Sequence, residues 1–207
     1  MRCPVSRLVH PLGRMVVVVA ASAAVASAAA CEQLTTFTVP ADSEIEVPGT
    51  PVVGNNPLLP DQVFPGALLS QALSEALRRS FDTQGYDKDA VDSLQLTKLT
   101  MTVTDPEQNG RAVRGLGFLQ RLAVSVGADG FEPVTAAQSE DGAFDGTPGP
   151  ADYDVPCTNA ELKEMFAGSD ALDMTADVEP GTPPNFNTTV TFHTELTVKV
   201  NVVGALN

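Results

Sequence analysis

The chain has 207 residues, with 26 Asp+Glu against 12 Lys+Arg and a formal net charge of −14 at pH 7. That acidity opposes docking on nucleic-acid phosphates, and a hydrophobic fraction of 43% argues against wholesale disorder. Three Cys and two His are too few for a disulfide scaffold or a multi-Cys zinc site, and the length fits one domain best.

Arg2, Arg7 and Arg14 precede an apolar, small-residue run from Met15 to Ala30, with four successive valines at Val16 to Val19. A basic start, an apolar middle and a small-residue exit predict a secretory signal peptide over residues 1–30. The run is shorter than the ~20 apolar residues a membrane-spanning helix needs. The segment Ala28-Ala29-Ala30-Cys31 then resembles the lipobox of bacterial lipoproteins. Ala30 and Cys31 match that pattern, while Ala28 stands where the family prefers Leu. The resemblance implies a mature N-terminus at Cys31 lipidated on its sulfur, and therefore an envelope protein whose membrane partner is reached through that lipid. Ala26-Ser27-Ala28 and Ala28-Ala29-Ala30 are also ordinary cleavage sites, so plain secretion is the alternative. The two differ in cysteine chemistry. With Cys31 acylated, Cys157 is a free thiol; otherwise a Cys31–Cys157 disulfide is open in an oxidising compartment. Removing residues 1–30 takes away three arginines and no acid. The remaining charge disfavours anionic headgroups, so the lipid rather than electrostatics would hold the protein at a membrane.

Residues 31–66 read as a lipidated N-terminus and a proline-rich lead. Phe37 and Val39 alternate with Thr36 and Thr38, and Ile45 and Val47 with Glu44 and Glu46, which predicts short strands. Pro40, Pro48, Pro51, Pro57, Pro60 and Pro65 confine such strands to a sheet edge. The acidic domain is expected over 67–207. From Ala67 to Ser80 the period becomes helical, with Leu69, Leu73, Ala76 and Leu77 on one face, Arg78 and Arg79 in the last turn, and Gly85 just beyond.

Residues 92–104 read as a strand whose apolar phase flips between Leu96 and Leu99, the signature of a bulge. Asn109-Gly110 marks a turn. Leu122, Val124 and Val126, then Asp129-Gly130, then 132–138 predict a hairpin. Residues 139–156 form an acidic Gly/Pro loop. Thr158 and Glu161 have capping-box spacing for a short helix running to about Phe166, stopped at Gly168. Leu172 to Val178 alternates as a strand, and Val190 to Val202 is the clearest strand of all. The fold class expected is mainly β: an antiparallel β-sandwich, Ig-like or jelly-roll-like. One amphipathic helix covers an edge or open end, and one short helix accompanies it.

Candidate chemistry is sparse. His193 falls on the polar face of the last strand, where a surface role is favoured over general base or metal ligand. No G-x-S-x-G elbow or phosphate-binding glycine loop occurs. Cys157 follows Pro156 at the expected helix start, where a dipole would lower its pKa, but an incidental thiol is the preferred reading. Asp141, Asp145, Asp152 and Asp154 are weak calcium candidates without a recognised spacing. Asn187-Thr188-Thr189 matches a glycosylation sequon, read as chance in a bacterial lipoprotein. No cofactor and no catalytic residue are expected. The function expected is a non-enzymatic structural or binding role in the cell envelope, toward a protein or glycan the residues do not identify. The alternatives are a hydrolase using paired carboxylates and a calcium-dependent adhesin.

Overall fold

The computed structural model describes residues 36–54, 56, 58, 62–169 and 171–201. The signal-peptide and lipidation expectations on residues 1–31 lie outside them. The unit that carries the fold begins at Thr36, so residues 36–47 belong to the domain rather than to a lead outside it.

The first strand, β1 (Thr36–Val47), is one continuous strand where two short ones were expected. Its odd residues turn inward, with Val39, Ala41 and Val47 buried, and its even residues face out. It pairs antiparallel along its whole length with β9 (Thr188–Val200), from Thr36 opposite Lys199 to Val47 opposite Thr188. β9 pairs in turn with β2 (Val91–Val103), and β2 with the short β7 (Asp152–Asp154). The sheet order β1-β9-β2-β7 leaves β1 at an edge, where Pro40 costs no central ladder bond. A second antiparallel sheet has the order β6-β5-β8, from β5 (Leu119–Ala128), β6 (Phe131–Gln138) and β8 (Asp173–Pro180).

The phase flip in β2 is a bulge between Leu96 and Lys98. One extra residue there lets Leu94 and Leu96 face inward together with Leu99, Met101 and Val103. Between the two-residue strands β3 (Glu107–Gln108) and β4 (Arg111–Ala112), Asn109 and Gly110 both adopt positive φ, the paired geometry a tight hairpin turn demands. The inward faces of both sheets share one hydrophobic cluster. Val190, Phe192, Leu196 and Val198 come from one sheet and Leu122, Val124, Val126 and Met174 from the other. The result is mainly β, antiparallel and sandwich-like.

A one-turn helix, α1 (Thr50–Val53), carries Pro51 at its start, where a missing N–H is tolerated. Its first residue is tied to the proline-rich turn after β8, Thr50 N–H donating to Pro184 O at 2.7 Å. Asn187 reinforces this corner. Its side-chain oxygen accepts from Gly49 N–H at 2.9 Å and its amide donates to Glu46 at 3.0 Å. The sequon asparagine is therefore committed to holding the end of β1.

The long helix α2 (Gly66–Gln84) buries Leu69, Leu73, Leu77 and Phe81, the i, i+4 stripe of the expected helix carried one turn further. Gly85 ends it in the left-handed conformation. Arg78 and Arg79 consequently sit within the helix, not in its last turn. They pair with Asp82 at 3.3 Å and Glu75 at 2.7 Å rather than with terminal carbonyls. The helix packs on β1 of one sheet and β8 of the other, closing the side of the sandwich where both sheets present an edge. Its N-terminus is fixed by Ser70, whose hydroxyl accepts from Met174 N–H at 2.7 Å and donates to Gly66 O at 2.8 Å.

The second expected helix forms later than predicted, as α3 (Lys163–Gly168). The capping box does not form. Thr158 donates to Thr135 O at 2.7 Å, and Glu161 reaches across to β2 instead. Sheet contacts outcompete the local cap because they also satisfy the donors at the irregular start of β2. Among the described residues no helix is long and apolar enough to cross a membrane.

Candidate functional site

A concavity runs along α2. It is a groove of about 840 Å³, within the range of small-molecule sites. Leu77 and Phe81 of α2, Tyr86 after it, Phe166 of α3 and Leu172 before β8 supply its apolar floor. Phe166 of α3 and Leu172 before β8 line it beside the stripe of α2, and all four of Leu77, Phe81, Phe166 and Leu172 are buried. Aromatic contacts brace it. Phe81 lies 5.2 Å from Phe166 and 5.7 Å from Phe37 of β1, which stacks on Tyr86 at 6.3 Å. Lys88 crosses one end, with Nζ 5.2 Å from the Phe166 ring centre and donating to Ser169 O at 2.7 Å. Glu75, Asp82, Asp87 and Asp173 line the rim against Arg78 and Lys88, so the rim is net acidic.

A second polar constellation occupies the outer face of the four-stranded sheet. The register places Asp42, His193, Thr100 and Asp154 in one row across β1, β9, β2 and β7. His193 Nδ1 lies 2.6 Å from Asp42 Oδ1 and its Nε2 lies 2.9 Å from Glu195 Oε1. Lys98 reaches the same Glu195 oxygen at 3.4 Å, and the Thr100 hydroxyl donates to Asp154 at 2.6 Å. The hydrogen bonds that the ring donates to Glu195 and then to Asp42 raise the His193 pKa against the opposing effects of burial and Lys98. The hydrogen bond to His193 is the main cause holding Glu195 below the usual carboxylate range. The two carboxylates take opposite ring nitrogens and so do not converge on one point.

Cys157 does not stand at a helix start, since α3 begins six residues later at Lys163. It bridges antiparallel to Ala137, half-buried, with Sγ donating weakly to Val155 O at 3.7 Å. Burial pushes its thiol pKa up, with a smaller opposing effect from its backbone hydrogen bond to Leu99. The less favoured alternative, activation by a helix dipole, lacks its geometry: the nearest described helix in the chain starts six residues later at Lys163.

The calcium candidates are dispersed. Asp152 and Asp154 lie on β7, not in a loop, and Asp154 is engaged with Thr100. Asp145 closes a tight turn, its N–H donating to Gly142 O at 3.1 Å, and Asp141 is exposed. The loop between is pinned by Phe144, buried against Tyr153 at 4.9 Å. Among the described residues no three His, Cys, Asp or Glu side chains are grouped to hold a metal ion. The lipidation candidate Cys31 lies outside the described residues.

Sequence reasoning did not assemble the groove. Leu69, Leu73 and Leu77 were legible as a buried face, but Phe166 and Leu172 come from distant segments, and nothing in their spacing joins them. No protein-family model and no curated protein matches the chain.

Proposed function

We propose that this chain is a bacterial envelope lipoprotein, anchored through a lipid on Cys31, whose acidic β-rich domain acts by binding rather than by catalysis. The observation that carries the binding role is the groove along α2, with an apolar floor and charged rim of the kind ligand sites combine. The basic start, apolar run and Ala28-Ala29-Ala30-Cys31 ending support the anchor. The polar side chains that could suggest chemistry are engaged in structure. Both ring nitrogens of His193 are taken by carboxylates, and burial disfavours a Cys157 thiolate.

The test is the intact mass of the protein extracted from membranes of a bacterial host, beside Cys31→Ser. The expected product starts at Cys31 and carries a thioether-linked diacylglycerol and an amide-linked acyl chain, all lost in the variant. A bare polypeptide lighter by two hydrogens, from a Cys31–Cys157 bond, would overturn the anchor and favour a secreted protein.

A further inference from the structure

We infer that the free edge of β1 binds an extended segment of a partner protein, alternating basic and apolar residues, by adding it as an antiparallel strand. This surface is separate from the groove along α2 and does not depend on the anchor at Cys31.

The ladder fixes which backbone groups are free. Thr104 N–H donates to Thr189 O, so Thr189, Thr191 and His193 turn their backbone groups toward β2, and the residues between them turn theirs toward β1. Through the β1–β9 register, Ala41, Ser43 and Ile45 bond to Thr194, Phe192 and Val190. Asp42, Glu44 and Glu46 therefore point their N–H and C=O groups away from the sheet. β1 is the edge strand, and no backbone group among the described residues pairs with them. All three are exposed, as is Pro40, whose missing N–H falls on the same edge. An unpaired edge is matched bond for bond only by another extended chain.

Side chains select which chain. Asp42 is matched by His193 at 2.6 Å, and Glu46 accepts only a neutral amide, from Asn187 at 3.0 Å. Glu44 lies in a row with Thr191, Thr102 and Asp152, so no cation answers it across the sheet. An antiparallel strand laid outside β1 places its own residues directly opposite Glu44 and Glu46 on the same face, where basic side chains are favoured and acidic ones repelled. The same rule bars a second copy of this edge. Paired with itself about Glu44, it would set Glu44 against Glu44 and Asp42 against Glu46. The inner face selects the alternate residues. Ile45 is only half-buried where Val39 and Val47 are wholly buried, so apolar residues of an added strand complete its cover.

The test titrates the full chain carrying Cys31→Ser with a capped heptapeptide of alternating lysine and valine, read by calorimetry and by amide hydrogen exchange. Saturable one-to-one binding is expected. Asp42, Glu44 and Glu46 should exchange fast in the free protein and slow with peptide, while Ala41, Ser43 and Ile45 are protected throughout. The glutamate–valine heptapeptide should bind at least about tenfold more weakly. Methylating the lysine backbone amides keeps the charge but blocks the edge bonds, and should cost at least about tenfold; methylating the valine amides, which face away, should not. Glu44→Pro removes an edge donor outside the β1–β9 ladder, as Pro40 already does, and should weaken binding more than Glu44→Gln. If Glu44→Pro is destabilised, the methylated peptides make the same test on the unaltered edge. Absence of saturable binding would show that Pro40 and the carboxylates only blunt the edge, and would overturn the inference. Equal binding of the glutamate peptide, indifference to lysine-amide methylation, or protection gained on another element would each overturn it as well. The mass measurement above fails separately, because binding by Cys31→Ser does not depend on lipidation.

Discussion

His193 and Asp42 face each other across the β1–β9 pair, with Nδ1 2.6 Å from Oδ1, while Glu195 takes the other ring nitrogen. A neutral imidazole donates from one nitrogen only, so two carboxylate acceptors require the doubly protonated ring. The folded-state pKa is raised, so this contribution to stability is complete below the unfolded value of about 6.5 and is lost as pH rises through the folded value. Denaturant titrations from roughly pH 6 to pH 9 should show wild type losing stability relative to His193→Gln as pH rises. An NMR titration should place the ring above its ordinary pKa, and Glu195→Gln should bring it down. Parallel stability curves for wild type and His193→Gln would refute the linkage.

Glu161 joins two elements through one carboxylate. It accepts from Leu94 N–H at 2.7 Å, the Ser93 hydroxyl at 2.7 Å and Lys163 N–H at 3.1 Å. Burial pushes its pKa up, but the bonds from Leu94, Ser93, Lys163 and Leu162 together hold it below the usual value. Its stabilisation is present above about pH 4.3 and lost as pH falls through the depressed folded value. Glu161→Gln should cost about 1 kcal/mol at neutral pH and weaken the acid dependence in that window. Acid melting curves for both proteins decide it, and an unchanged dependence would assign the acid sensitivity elsewhere.

Thr194 is wholly buried in β9 between Ala41 and Leu99, and its hydroxyl has no hydrogen-bond partner in the structure. Valine has nearly the same shape and no polar atom to desolvate. Thr194→Val should therefore stabilise the domain by about 1 kcal/mol, a rise of roughly 2–4 °C in Tm. Thr191→Val, on the partly exposed outer face, should stay within about 0.5 kcal/mol. A lower Tm for Thr194→Val would mean the hydroxyl is satisfied.

Gly66 begins α2 against the backbone of β8. A Cβ there would meet Met174 O at 2.6 Å, so the helix would have to move off the sheet edge. Two effects oppose each other. Alanine gains about 1 kcal/mol of helix propensity, while displacing packed backbone costs about 1–3 kcal/mol. The clash should win, with Gly66→Ala destabilising in chemical denaturation. A stabilised variant would show that the contact between α2 and β8 is loose.

Cys157 should alkylate slowly. With its thiol pKa raised by burial, the rate with iodoacetamide at neutral pH should fall well below that of the urea-unfolded chain. Equal rates would show that the sulfur is open.

Local periodicity carried most of the fold. The alternation in β1, β2, β8 and β9, the Leu96–Leu99 bulge and the Leu stripe of α2 are all nearest-neighbour patterns, and each reappears in the structure with its inward residues buried. The misreadings share one cause. The capping box at Thr158, the helix start beside Cys157 and the acidic loop containing Asp152 and Asp154 were all local readings overridden by pairing with β2 and β6. A strand edge far away in sequence offers more hydrogen bonds than a one-turn helix offers itself.

What the chain determines alone is its acidity, its strand and helix periods, and the Ala28-Ala29-Ala30-Cys31 segment on which the anchor proposal stands. Those properties depend on residues adjacent along the backbone. Tertiary structure alone decided which carboxylates flank His193 and which side chains floor the groove. Phe37, Phe81 and Phe166 come from three separate segments and meet only because α2 must cover an edge of both sheets. Burying that shared surface removes apolar area from water, and this long-range gain leaves no periodic trace in the sequence.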